Sequence, residues 1–383
     1  MNHKVEEYLA SFLFSLNGKI TRNNFNKIVK FYDFKFSFKS IHIVGTNGKG
    51  SCAKYLNDEL IANNYRVGLF TSPHINVMYE RIKINDHCID FPTFVKYTSD
   101  FQNDFPNVQF GFFDLFFLCA LRWFDERQVD VAIFEAGIGA KKDVVNYLNH
   151  DISLITSISL DHEKILGPTL EAIAKDKMHA IKTNNHAYVS GAINQELINI
   201  FQKRAIDVKA KLEVANVDQS TFETSNQSLT KYVLQKEFGI KDFKSLFILP
   251  QGRAQKVNLN NFACYLDVAH NPEGILASLK YYEFHNIKFD QVVLSLSDDK
   301  NQTTIMSILK NMFSNIFVYQ NKSKRAMKIY NYDKDVQSII SLDGFLRKIN
   351  CPTLFIGSFY FISEILAGLN NGNNQSSRIG FKK

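Results

Sequence analysis

Cysteine is sparse in this 383-residue chain: five residues are scattered along it with no CxxC pair. That spacing excludes a disulfide framework and a cysteine-built zinc site, and it fits a reducing compartment. Long apolar runs are also missing. The longest, residues 115–121, falls far short of the roughly 20 residues needed to cross a bilayer. No extended Lys/Arg run points to nucleic acid, and there is no internal repeat or low-complexity core. The first residues, MNHKVEE, do not have the pattern of a secretory signal. A cytoplasmic protein without membrane or nucleic-acid partners is expected. What is present is a globular composition, 45% hydrophobic and 22% charged, with phenylalanine and asparagine frequent. The length suffices for two domains. A net charge of +7 suits anionic small ligands such as nucleotides or polycarboxylates.

The most informative stretch is residues 41–51, IHIVGTNGKGS. Four strand-forming residues run into a glycine-rich turn, and Ala53, Leu56 and Leu60 follow at helical spacing. A turn between a buried strand and a helix points backbone N–H groups and a helix N-terminus at one spot, which suits a phosphate chain. Lys49 then reaches the terminal phosphates and Ser51 holds magnesium. The strict P-loop spacing is missed, because Gly45 lies three residues before Gly48 and Gly50 separates Lys49 from Ser51.

In chain order, helices are expected over 5–16 and 25–32, a strand over 41–44 and a helix over 52–62. A strand over 65–70 then ends in Thr71-Ser72-Pro73-His74. Pro73 stops regular structure, so Ser72 and His74 fall on a loop at a strand's carboxyl end, the ligand edge of open α/β sheets. A strand over 82–84, an apolar helix over 112–124 and a strand over 129–134 come next, with Glu135 directly after the last, well placed for magnesium. A strand over 152–158 delivers Asp161 and His162 to the same edge. A helix from Thr169 through Ile181 carries Asp176 and Lys177, and a strand spans 187–190. Helices over 195–205 and 228–238 lie in a stretch of weaker pattern. Regular structure is lost at 249–255. A second βα series follows, with strands over 262–268, 292–296, 316–319 and 353–356, and with Asn271 capping a helix that starts at Pro272. Residues 370–383 read as a disordered tail. The reading is an α/β protein with a doubly wound, mostly parallel sheet over 1–255 and a smaller Rossmann-like domain over 256–383. Lys49/Ser51, Ser72, Glu135, His162 and Lys177 converge on one sheet edge as a magnesium-nucleotide site.

These segments resemble the folylpolyglutamate synthase/dihydrofolate synthase family, a branch of the Mur ligases. The resemblance rests on residues 41–51, 71–84 (TSPHINVMYERIKI), 133–146 (IFEAGIGAKKDVVN), 155–182 (ITSISLDHEKILGPTLEAIAKDKMHAIK), 250–255 (PQGRAQ), 266–272 (LDVAHNP), 297–300 (SDDK) and 357–360 (GSFY). It implies a P-loop-type ATPase domain and a Rossmann-like domain with ATP bound between them. It implies a monomer of the kind that in bacteria adds both first and later glutamates, whose substrates are dihydropteroate, folates and L-glutamate. Gly45, Thr46, Asn47, Gly48, Lys49, Gly50 and Ser51 would bind the nucleotide with Arg253, Asp267 and His270, and Asn226 would contact the adenine. Ser51, Ser72, Glu135 and His162 would serve two magnesium ions, with potassium as a further cation. Lys177 matches a lysine that is carbamylated in the family, a change that turns an ammonium into an oxygen ligand. Lys49, His162, Lys177 and His270 are the catalytic candidates. The chain departs from the pattern at Ala140 and Lys141, which stand for glycine and arginine, and Lys lacks arginine's planar fork. Gln251 is inserted in the linker motif, residues 191–249 are short, and Val77 and Met78 replace basic and aromatic residues. The alternatives are a Mur-type amide ligase for another carboxylate and a non-catalytic ATP-binding relative.

Overall fold

The computed structural model describes residues 16–329 and 336–372. Residues 5–15 of the helix expected over 5–16, and residues 373–383, lie outside them. The described chain falls into two compact units. The first runs up to Ser159 and includes Lys164–Gln219 and Thr224–Ile248; the second comprises Leu160–Glu163, Ser220–Glu223 and the chain from Leu249 onward.

The first unit is built on eight strands: β1 (Lys39–Val44), β2 (Val67–Phe70), β3 (Ile82–Ile84), β4 (His87–Cys88), β5 (Val131–Glu135), β6 (Ile152–Ile155), β7 (His186–Ser190) and β8 (Lys211–Ala215). Their order is β4-β3-β2-β5-β1-β6-β7-β8. Every pairing is parallel except β2 with β3 and β3 with β4. β1 lies between β5 and β6, with Ile43 level with Glu135 and Val44 with Ile155. The chain leaves β1 toward β2 on one side and leaves its neighbour β5 toward β6 on the other, which opens the crevice that such sheets use at their carboxyl edge. β5 is buried along its whole length, as expected of a parallel strand covered on both faces.

Phe112–Glu126 is apolar nearly all round because it sits deep in a core cluster with Phe70, Phe94 and Phe134. Phe117 and Phe124 meet Phe134 edge-on and tilted, at ring separations of 5.5 and 5.8 Å. A second cluster, around Val44, Ile155, Val189 and Phe201, lies under the helices Leu170–Lys177 and Gln195–Val208. The helix Lys49–Ala62 packs against β1, β2 and β5. Its Glu59, fully buried, accepts N–H bonds from Lys244 and Ser245 and so fastens a late segment to the back of the phosphate-loop helix.

The second unit has six strands: β9 (Gln255–Leu259), β10 (Phe262–Asp267), β11 (Gln291–Ser295), β12 (Ile316–Tyr319), β13 (Gln337–Ile339) and β14 (Thr353–Gly357). The order is β13-β12-β11-β14-β10-β9, parallel except for β9. Asn271 caps the helix Pro272–Phe284, its Oδ1 accepting from Gly274 N at 2.8 Å, and Pro272 takes the first turn.

Several boundaries move. β5 includes Glu135, β6 stops at Ile155, and the helix expected from Thr169 through Ile181 ends at Lys177 and tightens to a 3-10 turn at Met178–Ala180. The helix expected from 228 begins at Phe222, and the last helix, Phe359–Gly372, takes in the first residues of the expected tail. The helix Phe91–Asp104 and strands β4, β8, β9 and β13 were not expected at all.

Candidate nucleotide and metal site

Between β1 and the helix Lys49–Ala62, the turn is held by the segment that follows β6. Thr46 N donates to Ser157 O at 2.9 Å and Asn47 N to Ser157 Oγ at 2.9 Å. The hydroxyls of Thr156 and Ser157 both donate back to Asn47 O, and Thr46 Oγ1 exchanges bonds with the backbone of Ser159. Sequence reading gave this hydroxyl series no role; its signal was three Ser/Thr directly after a buried strand. Gly48 is the helix N-cap at φ 88°, a left-handed conformation, and a Cβ there would lie 2.5 Å from Asn226 Oδ1. Asn226 therefore stands against the loop, its backbone oxygen and Oδ1 facing Cys52 Sγ.

Lys49 Nζ curls over the turn to Gly45 O and Thr46 O, 3.1 Å from each. Lys177, buried, brings its own Nζ to Gly45 O at 2.9 Å. Two ammonium groups thus meet on one carbonyl oxygen. Ser51 is fully buried and its Oγ has no hydrogen-bond partner among the described residues. Glu135, also buried, accepts from Ser72 N at 3.0 Å, and its carboxylate lies 3.6 Å from where a Gly50 Cβ would be. An orphaned hydroxyl near a carboxylate at a helix start fits a divalent ion. Among the described residues no group of three His, Cys, Asp or Glu forms a ready-made metal cluster. The Ser72 loop has its own support. Glu80 accepts N–H bonds from Ile75, Asn76 and Val77. Buried Arg81 donates to His74 Nδ1 at 2.9 Å, and burial together with the Arg81 charge pushes the imidazole down to about 3.

The loop after Glu135 is tied by two aspartates. Asp143 accepts from Gly137, Ile138 and Val145 N–H groups, and Asp176 from Ala140 and Lys141. Burial raises the Asp143 carboxyl to about 6 against the pull of those donors. Lys141 and Lys142 are exposed.

The remaining candidates belong to the second unit. Asp161 is their hub: its carboxylate takes Lys300 Nζ at 2.7 Å and Asn271 Nδ2 at 3.0 Å, with His270 Nε2 at 3.5 Å. His162 follows it in a left-handed conformation at φ 53°, its N–H bonded to Asp161 Oδ1. Burial alone would raise the Asp161 carboxyl. The hydrogen bond and charge of His270, then the charges of Lys300 and His162, hold it far below the usual carboxylate range. His270 Nδ1 rests on Val268 O at 2.8 Å. Asp267 is buried and accepts from Ala269 N, Ala254 N and Tyr282 OH, so it braces the turn carrying Arg253; burial raises its pKa. The Arg253 guanidinium lies 6.0 Å from the Phe359 ring centre. Lys300 as a partner of Asp161 was missed by sequence reading, which quoted its motif without assigning a contact.

No family model matches the chain. It is 30% identical over 370 residues to the dihydrofolate synthase/folylpolyglutamate synthase of Buchnera aphidicola subsp. Baizongia pistaciae, a match covering 87% of this chain and 77% of that protein. The chain belongs to the dihydrofolate synthase/folylpolyglutamate synthase family. The Escherichia coli member is 29% identical over 258 residues, 61% of each chain. Among solved structures, E. coli FolC in complex with DHPP and ADP matches at TM-score 0.83 and 22% identity, over 96% of this chain and 98% of that one. The Yersinia pestis bifunctional enzyme complexed with AMPPNP and Mn ion matches at 0.82 and 20% identity, over 95% and 97%. Family and fold thus agree with the two-sheet α/β architecture. No helix among the described residues is long and apolar enough to cross a membrane.

Proposed function

We propose that the protein is an ATP-dependent ligase that joins L-glutamate to dihydropteroate and to folyl-glutamates, acting as a cytoplasmic monomer. The observation that carries this reading is the buried, partnerless Ser51 Oγ at the head of the helix that follows the Lys49 loop, next to Gly50, whose Cβ position lies 3.6 Å from the Glu135 carboxylate. Solved relatives are described with ADP, with AMPPNP and Mn, and with L-glutamate.

A carboxylate is inert toward amines, so the γ-phosphoryl group of ATP is first transferred to the acceptor carboxylate, with ADP as leaving group. The amine of glutamate then attacks the acyl carbon, inorganic phosphate departs and the amine gives up a proton. The protein's task is positioning and charge neutralisation. The N–H groups at the head of the helix, from Gly48 to Ser51, cradle the phosphates, since those of Thr46 and Asn47 are held by Ser157. Lys49, whose tether to two loop carbonyls is easily exchanged for phosphate oxygens, swings onto the transferring group. Ser51, Ser72, Glu135 and His162 would hold two divalent ions, which supply further neutralisation of the phosphates. Arg253, Asp267 and His270 serve the nucleotide, and Asn226 its base. Lys177 is carbamylated in the working enzyme: two ammonium groups on Gly45 O repel, and a carbamate replaces one of them with an anionic oxygen ligand. Potassium completes the cation set.

Incubating the purified protein with ATP, magnesium, glutamate and either dihydropteroate or tetrahydrofolate should release ADP and yield a product one glutamyl residue heavier. ATP binding without ADP release in every combination would overturn the reading. Intact-protein mass under bicarbonate, with Lys177→Ala as the reference, tests the carbamate.

A further inference from the structure

Away from the nucleotide and metal candidates, the first unit has a pocket of about 370 Å³ lined by five basic side chains, Arg22, Lys141, His179, Lys182 and Arg204, and by Asn146. No acidic residue lines it. Among the described residues, none of the five basic groups lies in a salt bridge.

Three of these cations, Arg22, Lys182 and Arg204, are fixed rather than splayed into water. Arg22 donates to Tyr147 O at 3.1 Å and Asn146 O at 3.0 Å. Lys182 donates to the same Asn146 oxygen and to Leu148 O at 2.7 Å. Arg204 donates through Nε to Ile181 O at 3.2 Å, which leaves the outer edge of its guanidinium for another acceptor. One short loop, residues 146–148, thus gathers positive charge from two separate parts of the chain, while Arg204 is held beside it on Ile181 O. The Lys182 ammonium bears the strain: burial, and then the charges of Arg22 and Arg204, push it down to about 7. An ordinary solvated face spreads its cations or pairs them with carboxylates. A concave cluster of fixed cations lacking both is relieved by an anion, which would also hold the Lys182 proton in place.

We propose that this pocket binds a compact polyanion, either a phosphate group or the clustered carboxylates of a γ-glutamyl tail. The inference goes beyond the ligase reading, because binding here requires neither ATP nor a pterin. It also gives a use to Lys141, which stands where the family pattern has arginine: a point charge at the rim serves diffuse attraction better than it serves a bidentate clamp.

The test is isothermal titration of the full chain, without ATP or magnesium, using inorganic pyrophosphate and tri-γ-glutamate as probes. Wild type should bind at least one of them in the millimolar range or tighter, with one equivalent per chain. The tighter probe identifies which source the pocket serves. Arg204→Gln should weaken that binding about tenfold or more, as loss of a charge-assisted contact does, and Lys141→Gln by a smaller factor. Lys141 is exposed and Arg204 only half-buried, so these variants should fold even if Lys182→Met does not. Lys49→Ala should leave the affinity unchanged, which separates this pocket from the phosphate loop. Failure of both probes to bind wild type would overturn the proposal. So would binding that is lost in Lys49→Ala and kept in Arg204→Gln. Ligase turnover is measured separately, so failure here and failure of the ligase reading are distinguishable.

Discussion

In the Gly45–Ser51 turn the groups locked in place are mostly backbone ones: Thr46 N and Asn47 N held by Ser157, Asn47 O held by two hydroxyls, and Gly48 in a conformation that side chains resist. Around Asp161 the locking groups are side chains, Lys300, Asn271 and His270, brought together from distant parts of the chain. The first device needs the right local geometry and then tolerates many neighbours. The second concentrates buried charge, so each member depends on the others. Backbone-built sites should therefore fail in function before they fail in stability, and charge-built ones the reverse.

The largest expected effect breaks the first half of that contrast. Lys49→Ala removes a cation whose ammonium bonds the loop carbonyls of Gly45 and Thr46. Turnover should fall about a thousandfold or more, while the thermal midpoint stays close to wild type. An enzyme of near-normal turnover would end the assignment of Lys49, and a collapsed midpoint would end the contrast.

Asp161→Asn tests the other half. Both side chains of the Asp161–Lys300 pair are 8% exposed. Removing one partner of a buried pair costs about 3 kcal/mol or more, read as a lower denaturant midpoint. The companion Asp161→Leu/Lys300→Met should recover much of the loss, since it leaves no buried charge unpaired. If the double variant is as unstable as the single, packing and not charge holds this cluster.

The same contrast explains what could be read from the chain alone. The phosphate turn was legible because strand, glycines, lysine and helix are consecutive. Glu135 was legible because it ends a buried apolar strand, although the strand proved to include it. Asp161 and Lys300 are 139 residues apart, and no local periodicity links them. β8 and β9 were invisible for a related reason: they are edge strands carrying exposed and polar residues, with little apolar alternation. The helix Phe91–Asp104 was missed although Asp90 caps it and Pro92 occupies its first turn, because proline reads first as a breaker.

A middling effect is expected at Gly48. Ala at φ 88° is strained, and its Cβ would crowd Asn226 Oδ1. Gly48→Ala should cost about 1–3 kcal/mol and weaken nucleotide binding along with it. Glu59→Gln gives a comparable loss, about 1–3 kcal/mol, with a pH signature. Burial would raise the Glu59 carboxyl, but the N–H groups of Lys244 and Ser245 and the side chains of Ser245 and Asn63 lower it below its usual value. Its contribution is therefore complete above the unfolded carboxyl's pKa of about 4.3 and is lost as pH falls through the lower folded value. Wild type and Glu59→Gln should converge in stability on acidification.

The smallest effect separates two jobs done by one residue. Asn271 caps the helix Pro272–Phe284 through Oδ1 and reaches Asp161 through Nδ2. Serine is as good a cap but cannot span to the carboxylate, whereas alanine does neither. Asn271→Ala should cost the cap, about 1 kcal/mol, plus the bond to Asp161. Asn271→Ser should cost the bond alone, about 1 kcal/mol or less because Asp161 keeps Lys300. Repeating both substitutions in the Asp161→Leu/Lys300→Met background removes the shared partner, so there the serine variant should become nearly neutral while the alanine variant keeps its penalty. A serine penalty that survives the loss of Asp161 would mean that the cap and the charged cluster are one structural unit, and that the division between backbone-built and charge-built regions fails at this helix.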